Sequence, residues 1–463
     1  MVEQIGTMIE EGPEDWQIVQ QMNGVGRMEL GGRWKFDSEG KVEVRLVWED
    51  TGVAVTSGLD WQVANTKDDG TWGAVLENIP AGGLYRLETR LRVAEIPAGE
   101  WSPRGDMRHF LGVGDLWVIA GQSNSAGYGR GPYEDPAELG VHLFRNSERW
   151  ALATHPMNES TDTQHAVNRE AANPGHSPYL QFGRLLKRDL GYPVGLVQTS
   201  LGGSPLRRWN PGEPEDSDLF ENMVRCVEKV GGKVRGILWY QGESDAGTDA
   251  DATSYAERFA QAVGAWREAL KDTKLPVLTV QLNRVFRPED DAEADRYWSQ
   301  VREAQRQVPK QVPVVAVVPT LDLPLSDLIH ISPAGNMLLG ERLARAALGM
   351  VYGRGIAWKA PDLVAVRSKN GRVELEFVNV ESRMDSIDVQ ANAFRIEDEG
   401  GQVPVTEVIY PQDNRVELVL GRGLQGKATV HGAYGMAPAT APADMERFLP
   451  MLGFAGVDIA CDC

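Results

Sequence analysis

A serine hydroxyl becomes a useful nucleophile only when a base takes its proton, and that base is most often a histidine oriented by an acid. In the stretch Asp115-Leu-Trp-Val-Ile-Ala-Gly-Gln-Ser-Asn-Ser-Ala-Gly-Tyr-Gly129, Ser123 follows directly on an apolar run of strand length, with Gln122 and Asn124 beside it. Gly121 permits a sharp turn where that run ends. Seven histidines are available as base, at 109, 142, 155, 165, 176, 330 and 431. His330 stands out through its setting, Ser326-Asp-Leu-Ile-His-Ile-Ser-Pro333, immediately before a helical pattern. Asp327, three residues earlier in the same loop, can reach the far imidazole nitrogen, fix its tautomer and stabilise the imidazolium. An isolated Asp-x-x-His is usually a solvated turn; paired with Ser123 it reads as nucleophile, base and orienting acid.

Attack on a carbonyl also needs donors for the developing oxyanion. Two stretches offer them. In Thr199-Ser-Leu-Gly-Gly-Ser-Pro205, Gly202 and Gly203 let a backbone N–H approach a ligand closely, and in Trp239-Tyr-Gln-Gly-Glu-Ser-Asp245 the side chain of Gln241 offers an amide. Neither stretch is specific alone.

These residues need a scaffold that brings strand ends together. Apolar strand-like runs at 116–120, 194–199, 236–240, 277–282 and 314–318 alternate with helical patterns at 177–190, 217–230, 253–271, 295–308 and 333–352. Five such repeats predict an α/β domain with a parallel, doubly wound sheet, and ligands bind outside the carboxyl ends of its strands. Every candidate residue falls at such an end. The aperiodic segment 127–174 is long enough to wall the site. On either side the period is two. Val42, Val44, Leu46 and Trp48 alternate with polar residues, as do Tyr85, Leu87, Thr89, Leu91 and Val93, and later Val373, Leu375 and Phe377. The division expected is a β-sandwich-like module at 1–111, a catalytic domain at 112–354 and a second β module at 355–463. Trp48, Trp61 and Trp72 could bind sugar, but core packing is the simpler account.

The balance of 66 acidic against 47 basic residues, a net charge of −19, opposes binding to nucleic acid or to an anionic membrane. The first residues, Met-Val-Glu-Gln-Ile-Gly-Thr-Met, carry neither a basic n-region nor a long apolar run, so no signal peptide is read and cytoplasmic residence is expected. Cys226, Cys461 and Cys463 do not make a disulfide framework, and the terminal Cys-Asp-Cys, without nearby histidines, reads as a tail and not a metal site. No metal and no cofactor are expected.

Taken together, Gly-Gln-Ser-Asn at 121–124, Gly-Gly at 202–203, Trp-Tyr-Gln-Gly-Glu-Ser-Asp at 239–245 and Asp-Leu-Ile-His at 327–330 resemble the four blocks of SGNH hydrolases. Within that group they are most similar to the sialate O-acetylesterase-like branch, which includes acetylxylan-type carbohydrate acetylesterases. The match in order and spacing covers about 240 residues. The resemblance implies a flavodoxin-like three-layer α/β/α core with a five-stranded parallel sheet between β modules. It implies Ser123 as nucleophile, His330 as base and Asp327 as its orienter, with an oxyanion hole from the Ser123 N–H, a Gly202 or Gly203 N–H and the Gln241 side chain. Glutamine at 241 departs from the asparagine of the wider superfamily and reads as a substitute donor. In some relatives a glutamate of this block is the proposed triad acid, which makes Glu243 a second candidate. Gln122, Asn124 and His176 are further possible site residues, His176 either lining the pocket or packing at a helix start. Arg207 and Trp209 would contact sugar or pack on the surface.

The activity implied is removal of acetyl groups from acetylated mono- or oligosaccharides through an acetyl-serine, with a homo-oligomer left open. A lipase or thioesterase on other acyl esters is the first rival, although the sequence lacks a strongly apolar lid. A non-catalytic glycan-binding protein is the second, although every catalytic residue type is present.

Overall fold

The structure, a computed structural model, describes residues 5–94, 103, 105–172, 174–213, 217–287, 291–388 and 391–461. Its spine is β1 (Met107–Gly121), a strand of 15 residues. Residues 115–120 of this strand are fully buried, as a central parallel strand requires with helices on its faces. A Leu, Val or Ile so placed contributes roughly 1.5–3 kcal/mol by leaving water. The remaining strands of the parallel region are β2 (Val141–Phe144), β3 (Trp150–Leu152), β4 (Val194–Gln198), β5 (Gly236–Tyr240), β6 (Val277–Val280) and β7 (Val315–Val318). They lie in the order β3-β2-β4-β1-β5-β6-β7, all parallel except the edge strand β3. Among the described residues this run holds six parallel strands where five were expected, and Ile18–Gln20 adds a further parallel pairing to the leading half of β1. The extra one, β2, is only Val-His-Leu-Phe, and its His142 is buried with a ring nitrogen 2.6 Å from the Trp16 carbonyl oxygen.

A one-turn α1 (Ser123–Ala126) is additional to the expected helices, and the others follow their expected places: α2 (Tyr179–Leu190), α3 (Asp218–Lys229), α4 (Asp249–Ala269), α5 (Ala292–Gln311) and α6 (Pro333–Met350). α2 packs against α6, and α4 against α3 and α5. α4 starts earlier than its apolar pattern because the Thr248 hydroxyl caps it, accepting from the Asp251 N–H at 3.1 Å. α6 is capped by Ser332, which accepts from the Gly335 N–H.

The expected boundary between 111 and 112 falls inside β1. Its first half pairs antiparallel with Gly82–Val93, its second half parallel with β4 and β5, so N-terminal strands and parallel core form one eleven-stranded sheet. A second, four-stranded sheet built on Val25–Lys35 and Thr71–Pro80 closes the N-terminal core over Val42, Val44, Leu46, Leu87 and Leu91. Of the three tryptophans, Trp72 is buried in that core. Trp61 sits under the guanidinium groups of Arg45 and Arg90, at 4.5 and 3.9 Å, and Trp48 is 36% exposed.

The C-terminal residues form further sheets around Val373, Leu375, Phe377, Val416 and Leu418. They are bound to the parallel domain by Arg302 of α5, whose buried guanidinium donates to the carbonyls of Leu282, Asn283, Gly435 and Met436. Of the Cys-Asp-Cys end, Cys461 belongs to a strand, Ala460–Cys461, that pairs with Asp362–Lys369, and 462–463 lie outside the described residues. Cys226 is a buried free thiol, pushed up to about 11 by that burial. Among the described residues no helix is long and apolar enough to cross a membrane.

Candidate active site

The turn after β1 is the first requirement. Gly121 has φ +124, and a Cβ there would stand 2.1 Å from the Tyr240 carbonyl oxygen, so only glycine fits against β5. The chain then enters α1 with Ser123 as its first residue. His330 arrives from the loop between β7 and α6, and its Nε2 lies 3.0 Å from Ser123 Oγ. Asp327 Oδ2 lies 2.7 Å from His330 Nδ1. Asp327 Oδ1 accepts the backbone N–H groups of Ile329 and His330 at 2.9 and 2.7 Å, so the carboxylate also shapes the loop that carries the base. Partial burial pushes the Asp327 carboxyl up, but the Ile329 N–H, the imidazole and the His330 N–H outweigh it and hold it below its ordinary value. Three side chains from two distant parts of the chain thus form a chain of hydrogen bonds able to draw a proton off Ser123.

Asn124 and Glu243 sit behind these groups. Asn124 accepts from the Ile331 N–H at 3.0 Å and donates to Glu243 Oε1 at 2.8 Å and to the Ile329 carbonyl at 3.3 Å. Asn283, after β6, donates to that same carbonyl at 2.6 Å. Two amides therefore clamp the residues on either side of His330. Glu243 makes no hydrogen bond to His330; burial pushes its carboxyl up to about 7 despite the Asn124 bond, and its second oxygen is buried without a partner. The arrangement puts Asp327, and not Glu243, against the imidazole.

The expected oxyanion donors divide. Gln241 is fully buried, and its amide nitrogen lies 2.5 Å from Asp245 Oδ2, 3.2 Å from Gln122 Oε1 and 3.3 Å from the Ser204 carbonyl oxygen. With two hydrogens and three protein acceptors it has nothing to offer a ligand, so its reading as a donor is corrected. The Gly202 N–H donates to Glu170 Oε1 at 2.9 Å and is likewise occupied. The N–H groups of Ser123 and Gly203 donate to no other described residue, and neither does the amide nitrogen of Gln122. Gln122 Oε1 accepts from the Ser244 N–H at 3.1 Å as well as from Gln241, which fixes the orientation of that amide.

Other candidates move away from the serine. Trp209 is neither a sugar platform nor surface packing: it is wholly buried, with its indole N–H on Ser204 Oγ, while Arg207 is exposed. His176 is wholly buried and packed among other side chains. Its ring stacks on His155 at 4.1 Å, and both Nε2 atoms lie about one hydrogen bond from Asp135 Oδ2, at 3.1 and 3.0 Å. Asp135, His155 and His176 are a group whose ligand atoms, within 4.8 Å of one another, could hold a metal ion. Hydrogen bonding already accounts for it. Arg184 donates to Asp135 Oδ1 at 2.7 Å and balances its charge, and the Ser177 N–H points at His155 Nδ1, leaving the proton on Nε2. A divalent ion would add two buried positive charges beside that arginine.

The wall segment supplies what the motifs did not reveal. Tyr128 stacks on the His330 ring at 5.1 Å and donates its hydroxyl to Glu170 Oε2 at 2.8 Å.

A sequence model of the family described as carbohydrate esterase, sialic acid-specific acetylesterase, matches residues 113–349. The chain is 30% identical over 256 residues to a probable carbohydrate esterase of Arabidopsis thaliana, covering 50% of this chain and 90% of that one. It is 24% identical over 338 residues to the sialate O-acetylesterase of Homo sapiens, covering 63% of this chain and 62% of that protein's length. A carbohydrate acetylesterase from Xanthomonas citri superposes on it with a TM-score of 0.67 at 20% identity, over 97% of this chain and 99% of that one, a likeness of fold.

Proposed function

The chain belongs to the sialic acid-specific acetylesterase family of carbohydrate esterases, and from that premise we propose that it is a serine O-acetylesterase of acetylated saccharides. It is a carboxylic ester hydrolase by membership; the serine mechanism and the substrate are our reading. The observation that carries the mechanism is the 3.0 Å approach of His330 Nε2 to Ser123 Oγ, with Asp327 2.7 Å behind the ring. Ser123 attacks the acetyl carbonyl while His330 takes its proton. The tetrahedral adduct collapses to an acetyl-serine as His330 protonates the departing sugar oxygen. Water, deprotonated by the same imidazole, then attacks the acetyl carbon, and the Oγ–C bond breaks as His330 returns the proton to Ser123 Oγ, releasing acetate. Through both steps the imidazolium faces Asp327, which stabilises it. The Ser123 and Gly203 N–H groups, with Gln122 Nε2, are the donors left for the oxyanion.

The test is acetate release from acetylated oligosaccharides and from an aryl acetate, for wild type and Ser123→Ala. Release from sugar that the substitution abolishes, in a protein of unchanged melting temperature, is the expected result. Faster turnover of octanoyl than of acetyl esters would instead point to a lipase-like enzyme.

A further inference from the structure

Glu170 is a carboxylate beside the triad that the mechanism does not use. It belongs to the aperiodic wall, yet three donors from separate stretches hold it in place. Its Oε1 accepts from the Gly202 N–H and from the amide of Asn158, and its Oε2 accepts from the Tyr128 hydroxyl at 2.8 Å. Asn158 is itself wholly buried, donates to the Ser200 carbonyl at 3.2 Å and accepts from Asn146 at 2.5 Å. Burial pushes the Glu170 carboxyl up, against the pull of those three donors. Holding an acceptor this firmly in a partly dry place is costly unless something uses it.

Each carboxylate oxygen can accept about two hydrogen bonds. Oε1 has both; Oε2 has one, from Tyr128, and keeps a position unused. Tyr128 in turn lies against the His330 ring, so Glu170 is one side chain away from the base that must meet the sugar oxygen. An ionised carboxylate accepts and cannot donate, so what it can read is a hydroxyl. It is also a poor neighbour for a developing oxyanion, consistent with Gly202 being occupied and Gly203 not.

We propose that Glu170 is a sugar-binding residue, its Oε2 accepting a hydrogen bond from a free hydroxyl of the saccharide near the ester, with Tyr128 setting the distance to His330. The substrate class that follows is a partly acetylated saccharide with such a hydroxyl exposed. This rests on the esterase reading above.

The experiment compares kcat/KM on a mono-O-acetylated oligosaccharide with that on 4-nitrophenyl acetate, which has no hydroxyl, for wild type, Glu170→Gln and Glu170→Ala. Loss of a hydrogen bond to a charged group is expected to lower the sugar-to-aryl ratio about 10- to 100-fold in Glu170→Ala, mainly through KM, with Glu170→Gln between it and wild type. The glutamine variant keeps the shape of the site if the alanine variant does not fold. A ratio unchanged in both variants overturns the proposal, whether the two activities fall together, rise together or stay put. Failure of the esterase reading looks different: wild type would cleave neither ester, or Ser123→Ala would cleave the aryl ester as well as wild type does.

Discussion

Asp327→Asn isolates the orienting role with the least disturbance of shape. The carboxylate accepts three hydrogen bonds, two from the rigid backbone N–H groups of Ile329 and His330 on Oδ1 and one from the imidazole on Oδ2. An asparagine has only one acceptor oxygen. The two backbone donors cannot turn away, so they claim that oxygen, and the amide NH2 comes to face His330 Nδ1. Nδ1 must then present its lone pair, which moves the ring proton to Nε2, the nitrogen 3.0 Å from Ser123 Oγ. A protonated Nε2 cannot take the serine proton. Losses of about 10³- to 10⁴-fold in kcat are expected, or about 4–5.5 kcal/mol in the barrier. Stability should change by less than about 1 kcal/mol, since the Asp327 side chain is 41% exposed and the backbone contacts survive. The assay is 4-nitrophenyl acetate hydrolysis from about pH 5 to 9, with circular dichroism as the control for folding. Raising the pH should not restore the rate, because the fault lies in the tautomer of a neutral ring. A folded Asp327→Asn protein that keeps more than a tenth of wild-type kcat would show that His330 needs no such partner.

Glu243 titrates near 7 in the folded protein against an ordinary 4.5, so between those values the folded state holds a proton that the unfolded chain releases. Stability should therefore fall as pH rises through that window, by about 3 kcal/mol, and urea unfolding at both ends should show a shallower slope for Glu243→Gln than for wild type. Gln241→Ala should lower the melting temperature by leaving Asp245 and Gln122 without their shared donor, yet reduce kcat on an aryl acetate less than tenfold. A loss of about 10²- to 10³-fold would restore Gln241 as an oxyanion donor. Dialysis against a strong chelator should leave activity and melting temperature unaltered, since Arg184 and two imidazoles already satisfy Asp135; a drop in either would mean that Asp135, His155 and His176 hold an ion.

The core was readable where burial is two-sided. Runs such as 116–120 and 236–240 have no polar residue to interrupt them because no face of the central sheet meets water. β2 escaped notice for the opposite reason: it is four residues long and carries a histidine whose partner, the Trp16 carbonyl, lies 126 positions away. The hydrogen-bonded grouping of Ser123, His330 and Asp327 was readable because Ser123 and the Asp327–His330 pair each stand out by local spacing. Gln241 misled because residue type tells what an amide can do but not which neighbour claims it, here Asp245 four positions on. Glu170 left no local signal. A lone glutamate in an aperiodic stretch gains its meaning only when the fold brings Gly202 and Tyr128 to it from 32 and 42 residues away.

The continuity of β1 separates two kinds of unit that are often assumed to coincide. The segment that the family model matches begins at residue 113, six positions into a strand of 15 that starts at 107. What the family shares as a block is thus smaller than the sheet it belongs to. Cutting the chain at that point would remove the leading half of β1 together with its antiparallel partner Gly82–Val93, and leave only the half that pairs with β4 and β5. The N-terminal strands and the turn that carries Ser123 should therefore melt in a single cooperative transition. A graft that kept β1 whole would have to carry Gly82–Val93 with it.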